Sequence, residues 1–138
     1  MHCLQTKCSF MLDKGYKFIL IADDDPSIVR LVKTVVENEG FVGVVAKDGK
    51  EAYKILSSSE RIDGAIVDLR MPYIEGTEIV KFMRGNERLV SIPVILMTAD
   101  LSTKVTSQFA KAGAMAFLPK PFSSAQLRTV LGMFKKAV

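Results

Sequence analysis

KFILIADDDP, residues 17–26, decides the architecture. Phe18 to Ala22 is an unbroken apolar run of strand length, and three carboxylates follow it at once. A strand that is apolar at every residue, and not only at alternate ones, is buried on both faces. That is the habit of parallel sheets covered by helices. Asp25 then reads as the N-cap of a helix with Pro26 at its first position.

Outward from this stretch the same alternation continues to the C-terminus. The first helix carries Ile28, Val29, Leu31, Val32, Val35 and Val36 and ends at Gly40. Phe41 to Ala46 reads as a second strand, Asp48-Gly49 as a turn, and Ala52, Tyr53, Ile55 and Leu56 as a short helix. A third strand, Ala65 to Val67, runs into Asp68. A loop with Met71-Pro72 and Gly76 leads to a helix over about Thr77 to Arg84. Pro93 introduces a fourth strand, Val94 to Met97, ending in Thr98, and a helix over Ser102 to Ala112 stops at Gly113. Ala116 to Leu118 is the fifth strand, Lys120-Pro121 follows, and a last helix spans about Ser123 to Lys136. Five strands alternating with five helices make an α/β fold. With right-handed crossovers it is a doubly wound five-stranded parallel sheet in a three-layer α/β/α sandwich.

Length and composition agree with one such domain. The 138 residues are 49% hydrophobic and 25% charged, the balance of a globular chain and not of a disordered one. No apolar run approaches the roughly 20 residues that crossing a bilayer takes. The net charge of +4 comes from 19 scattered Lys and Arg, which reads as a basic surface and not as a nucleic-acid footprint. Cys3 and Cys8 lack a second ligand pair and the only histidine is His2, so a zinc site is not indicated. Free thiols in a reducing cytosol are expected, and residues 1–16 read as a poorly ordered N-terminal extension. Met11, just before the first strand, makes a tag or an upstream misassigned start a further reading of those residues. Residues 17–138 are the domain.

Ligands of doubly wound sheets bind at the carboxyl ends of the strands. Here those ends carry Asp23 and Asp24, then Asp68, then Thr98, with Lys120 after the fifth strand. Acids crowded together raise one another's pKa unless a cation neutralises them, and hard oxygen ligands favour Mg2+. A carboxylate can accept a phosphoryl group as an acyl phosphate, given charge neutralisation and in-line positioning. Thr98 and Lys120 supply donors for phosphoryl oxygens.

ILIADDDPSI, GAIVDLRMPYIEG, PVILMTA and AFLPKPF, in this order and spacing, resemble the four signature segments of the bacterial two-component response-regulator receiver family. The similarity covers Lys17 to Val138 and looks most like a single-domain receiver of the chemotaxis-regulator kind. It implies a flavodoxin-like sheet of order 2-1-3-4-5 and Asp68 as phosphoacceptor. It implies Mg2+ (or Mn2+ in its place) held by Asp24, Asp68, the backbone carbonyl of Arg70 and, partly through water, Asp23. It also implies Thr98 and Phe117 as switch residues, Lys120 as the phosphoryl-pairing lysine and a cis Lys120-Pro121 bond. The partners implied are a histidine kinase or histidine phosphotransfer protein and an effector bound by the helix 4–strand 5–helix 5 face. That face includes Lys104, Gln108, Lys111, Phe117 and Arg128. A cytoplasmic location and a monomer or phosphorylation-linked dimer follow from the same likeness. With its end near the fifth helix, the chain reads as a stand-alone regulator, a phosphorelay intermediate or a domain excised from something larger.

Each residue also has a plainer reading. Asp25 is fully explained as a cap. Thr98 and Lys120 gain meaning only from their company. Phe117 lacks the phenol often found at its position, so core packing explains it as well as switching does. Arg70 and Asp100 are expected to pair over the site and slow dephosphorylation. Val32, Val35 and Val36 are expected to face the core, leaving Ile28 and Leu31 partly exposed for a phosphodonor to dock on, unless the helix is simply well buried. Two other functions compete: a receiver-like module that works without phosphate, and a phosphatase using an aspartyl phosphate. The latter chemistry wants a second acid where Arg70 stands. A phosphate-binding-loop nucleotidase would need G-x-x-x-x-G-K-[ST] after the first strand, which the sequence does not have there. The chain therefore reads as a signalling domain, not an enzyme, that assists its own phosphotransfer and autodephosphorylation.

Overall fold

The computed structural model describes residues 15–136. Cys3, Cys8, His2, Met11 and most of the N-terminal extension lie outside the described residues. The elements follow in strict alternation. They are β1 (Phe18–Ala22), α1 (Pro26–Asn38), β2 (Val42–Ala46), α2 (Gly49–Ser57), β3 (Gly64–Asp68), α3 (Gly76–Arg84), β4 (Val94–Thr98), α4 (Thr103–Ala112), β5 (Ala116–Pro119) and α5 (Ser124–Lys136). All strand pairs are parallel, as the apolar pattern implied, and the order is β2-β1-β3-β4-β5, as the family resemblance implied.

Side chains alternate across each strand and so feed two separate cores. Leu20, Ala22, Ala65, Val67 and Leu96 point to one face, where Leu56, Ile79, Met83 and Phe109 from α2, α3 and α4 cover them. Ile19, Ile21, Ile66, Ile95 and Met97 point to the other, under Val32 and Val36 of α1 and Leu127, Leu131 and Phe134 of α5. This double covering is why the strands read as continuous apolar runs and show no alternation. In α1, Val32, Val35 and Val36 are buried while Ile28 and Leu31 are only partly covered, which matches the expected division of that helix.

Capping sets several boundaries. Asp25 caps α1 by accepting the Ser27 N–H at 2.9 Å, with Pro26 in the first turn. Asp25→Ala should therefore cost about 1 kcal/mol, read as a lower urea midpoint with unchanged slope. Asp48 is a correction to the sequence reading. It opens no separate turn but caps α2 through the Glu51 N–H at 2.8 Å, so Gly49 is the first helical residue. The remaining strand and helix ends match expectation or differ from it by at most two residues, as fraying ends do.

The chain turns from β1 outward to β2 and then crosses back to β3. The order reverses between β1 and β3, and in such sheets the crevice beyond that reversal is where ligands bind.

Candidate functional site

β1 and β3 lie side by side with Ala22 opposite Val67, so the residues that follow each leave the sheet together. Asp23 and Asp68 are both buried, at 1% and 6% exposure, an unusual state for carboxylates. One oxygen of Asp23 accepts the Asp25 N–H at 2.9 Å. Its other oxygen accepts from Lys120 Nζ at 2.9 Å, and the same ammonium lies 3.0 Å from Asp68 Oδ1. Asp24 is exposed, yet the carboxylate oxygens of Asp23, Asp24 and Asp68 all come within 4.8 Å of one another. Lys120 reaches them from the far end of the sheet, where β5 runs into a cis Lys120-Pro121 bond and the Lys120 N–H bonds the Thr98 carbonyl at 2.8 Å.

Burial and neighbouring charges shift Asp68 and Lys120 from their ordinary values. Burial pushes the Asp68 carboxyl above its ordinary value; the Lys120 hydrogen bond pulls the other way, and the negative charge of Asp23 adds to the rise. For Lys120, burial works against the charge, but hydrogen bonds to Asp23 and Asp68, with their charges, outweigh it and hold the amine above the usual lysine value. Three carboxylates against one ammonium leave a local charge of −2. Clustered hard oxygens with that surplus fit a hard divalent cation, which would balance it without displacing Lys120.

The other expected site residues are placed as follows. Thr98 is buried at the end of β4, where its hydroxyl accepts the Asp100 N–H at 2.9 Å and donates to the Asp100 carbonyl at 3.2 Å. Arg70 is exposed and pairs with Glu75 at 3.5 Å, so the expected Arg70 to Asp100 ion pair is not formed. Asp100 instead accepts the Ser102 N–H at 2.9 Å, which holds its carboxyl below the usual range, Arg70 adding only a minor pull. The half-buried Phe117 packs its ring 5.2 Å from that of Phe109 on α4, the packing reading of that position. Sequence reasoning missed Glu75 as the partner of Arg70, although a carboxylate five residues on was there to be seen.

Comparison with known proteins agrees with this geometry. Residues 19–132 match the family described as the response regulator receiver domain. The chain is 33% identical over 122 residues to chemotaxis protein CheY-3 of Vibrio cholerae, covering 88% of this chain and 92% of that one. Among solved structures, the chemotaxis response regulator CheY4 of Vibrio cholerae superposes with a TM-score of 0.80 at 28% identity, covering 86% of this chain and 98% of the other. The receiver domain of Francisella response regulator 1452 gives 0.78 at 33% identity, with 87% and 97% covered. Sheet order, strand-end acids and sequence all converge, and the chain belongs to the response-regulator receiver family, the phosphoacceptor switches of two-component signalling.

Proposed function

We propose that Asp68 accepts the phosphoryl group in this chain, from a phosphohistidine on a histidine kinase or histidine phosphotransfer protein. The observation that carries this is the buried Asp68 carboxylate, 3.0 Å from Lys120 and within 4.8 Å of two further carboxylates. An Asp68 oxygen attacks phosphorus in line, the phosphorus–nitrogen bond of the donor breaks, and an aspartyl phosphate remains. In this reading Lys120 hydrogen-bonds the transferred oxygens, and Thr98 turns its hydroxyl towards them. Asp23, Asp24, Asp68 and the Arg70 carbonyl are the proposed holders of Mg2+, with Mn2+ as a substitute; the ion supplies charge neutralisation for the incoming phosphate. Attack by water on the same phosphorus returns Asp68 and inorganic phosphate, which resets the switch.

The reading extends to partners. The half-covered Ile28 and Leu31, on the helix that Asp25 caps, offer the donor an apolar surface. The face formed by α4, β5 and α5 carries the exposed Lys104, Gln108, Lys111 and Arg128 beside Phe117, and is the proposed effector surface. Phosphorylation shifts the population of that face, as a monomer or with dimerisation. A receiver domain over 17–138 and a cytoplasmic setting complete the proposal. The described residues contain no helix long and apolar enough to cross a membrane.

Intact mass after incubation with acetyl phosphate tests the central step. One phosphoryl adduct is expected with Mg2+, none with chelator, and none in Asp68→Asn. An Asp68→Asn protein that still gains the adduct would move the acceptor elsewhere. Failure of the parent with both acetyl phosphate and a histidine kinase donor would favour a phosphate-independent module.

A further inference from the structure

β2 is an outer strand of the sheet, and no strand lies beyond it among the described residues. β1, β3 and β4 are buried throughout, whereas β2 is only half-buried from Val42 to Val45. Its backbone groups alternate in direction. The Val42 N–H donates to the Lys17 carbonyl at 2.9 Å and the Ala46 carbonyl accepts the Asp23 N–H at 3.2 Å, so Val42, Val44 and Ala46 face β1. Phe41, Gly43, Val45 and Lys47 therefore face outward. The ends of that outward row are already bonded, the Phe41 N–H to the Val36 carbonyl at 3.2 Å and the Lys47 N–H to the Glu51 carboxylate at 2.8 Å. Between them, the N–H and C=O groups of Gly43 and Val45 have no partner among the described residues.

These groups open into a groove of about 860 Å3, with β2 as its floor, Lys33 of α1 on one flank and Lys54 and Ile55 of α2 on the other. The Lys33 stem crosses above Gly43, its Cγ 3.3 Å from where a Cβ would stand. On the opposite flank Val44 and Ile55 form a partly buried apolar wall. Free strand groups between two helices suit an extended segment that is apolar on both faces. A second copy suits the groove less well, because its own β2 is recessed between the same two helices.

The chain carries such a segment. Gly15 and Tyr16 share a surface hollow with Gly40 and Phe41, which lead into β2, so the described structure begins at the foot of this groove. Residues 1–14 precede it and lie outside the described residues. Within them, residues 8–12 (CSFML) equal the five residues of β2 in number. Residues 13 and 14, with Gly15 in the left-handed region (φ 77°), suffice to cross one strand spacing of about 4.8 Å. A tether this short also gives the segment a high effective concentration at the groove.

We propose that residues 8–12 dock along β2 as an antiparallel sixth strand, with Phe10 opposite Gly43 and Cys8 opposite Val45. Each of these pairs exchanges two backbone bonds, which satisfies all four free groups. Phe10 then lies across the glycine against the Lys33 stem, where an aromatic ring offsets the missing side chain of an edge glycine. Met11 faces the other flank beside Val42, and Lys7 arrives near Glu51. The sheet edge is thereby closed to pairing with other chains. None of this depends on the phosphoacceptor reading.

Amide hydrogen exchange read by NMR on the full chain tests it, because the outward and inward residues of β2 alternate. Gly43 and Val45 should exchange slowly in the parent. Phe10→Asp should speed both at least about tenfold, while Val42 and Val44, which face β1, keep their rates. Gln5→Asp adds the same charge beyond the end of the edge and should change neither pair. Fast exchange of Gly43 and Val45 in the parent means an open edge and overturns the proposal. Slow exchange that Phe10→Asp leaves unchanged, or that strengthens with protein concentration, gives the edge to a second copy and overturns it too. Equal acceleration of all four amides in Phe10→Asp means general loosening and counts against it in the same way.

Discussion

Replacing Gly76 by alanine is expected to cost about 3 kcal/mol of stability and to lower the yield of aspartyl phosphate in the molecules that still fold. Gly76 opens α3 directly behind Asp68, the proposed phosphoacceptor. A Cβ there would lie 2.4 Å from the Asp68 carbonyl oxygen, 3.1 Å from the carbonyl carbon and 3.0 Å from Leu96 Cδ2. Two of the three obstacles are backbone, which cannot rotate away as a side chain can. Retreat of the loop is blocked as well, because the Gly76 N–H bonds the Leu69 carbonyl at 2.8 Å and Leu69 in turn bonds the Met97 carbonyl at 2.9 Å. The strain therefore moves Asp68 itself, which sits against Lys120. Urea unfolding and adduct mass, measured on the same protein, should fall together. A Gly76→Ala variant of parental stability would show that the loop yields more easily than its bonds suggest.

That coupling was only half visible in the sequence. The strands were legible because each is buried on both faces, so hydrophobicity alone marked Phe18–Ala22, Gly64–Asp68 and Val94–Thr98. Helix starts were legible where proline follows the capping side chain, as at Asp25-Pro26, and misread where Asp-Gly also suits a turn, as at Asp48. The acids of the site were legible for a topological reason: a parallel sheet delivers every strand end to one edge. What the sequence did not carry were contacts decided by loop conformation. Arg70 had Asp100 and Glu75 within equal chemical reach, and the loop after β3 selected Glu75. Arg84 bonds only backbone carbonyls, and a carbonyl at Val90, Ile92 or Gly113 leaves no mark in residue type. Gly76 looked like an ordinary loop glycine until the approach of the Asp68 carbonyl gave it a steric role.

Lys120→Met should be the most damaging single change within the site itself. Lys120 is the one cation bonded to both buried carboxylates, at 2.9 Å from Asp23 and 3.0 Å from Asp68. Methionine keeps the stem but leaves those charges facing each other. Removing one partner of a buried ion pair typically costs 3–5 kcal/mol, and partial access of water at this rim argues for the lower end, about 3 kcal/mol at neutral pH without metal. The pH dependence follows from the two shifts. Lys120 is raised in the fold, so its contribution is complete below the ordinary lysine value and fades only as pH climbs through the raised one. Asp68 is also raised, so ionising it costs the fold stability as pH rises past the ordinary carboxylate value. Parent and variant should therefore be close in acid, where Asp68 takes its proton, and diverge towards neutrality. Mg2+ should recover part of the neutral-pH loss in the variant, since its charge replaces the missing ammonium, yet the adduct from acetyl phosphate should stay far below the parent's for want of a donor to the phosphoryl oxygens. Thermal unfolding from acid to neutral pH, with and without Mg2+, reads all of this. A loss that is the same at every pH and indifferent to Mg2+ would assign the damage to the packing of the side-chain stem and not to its charge.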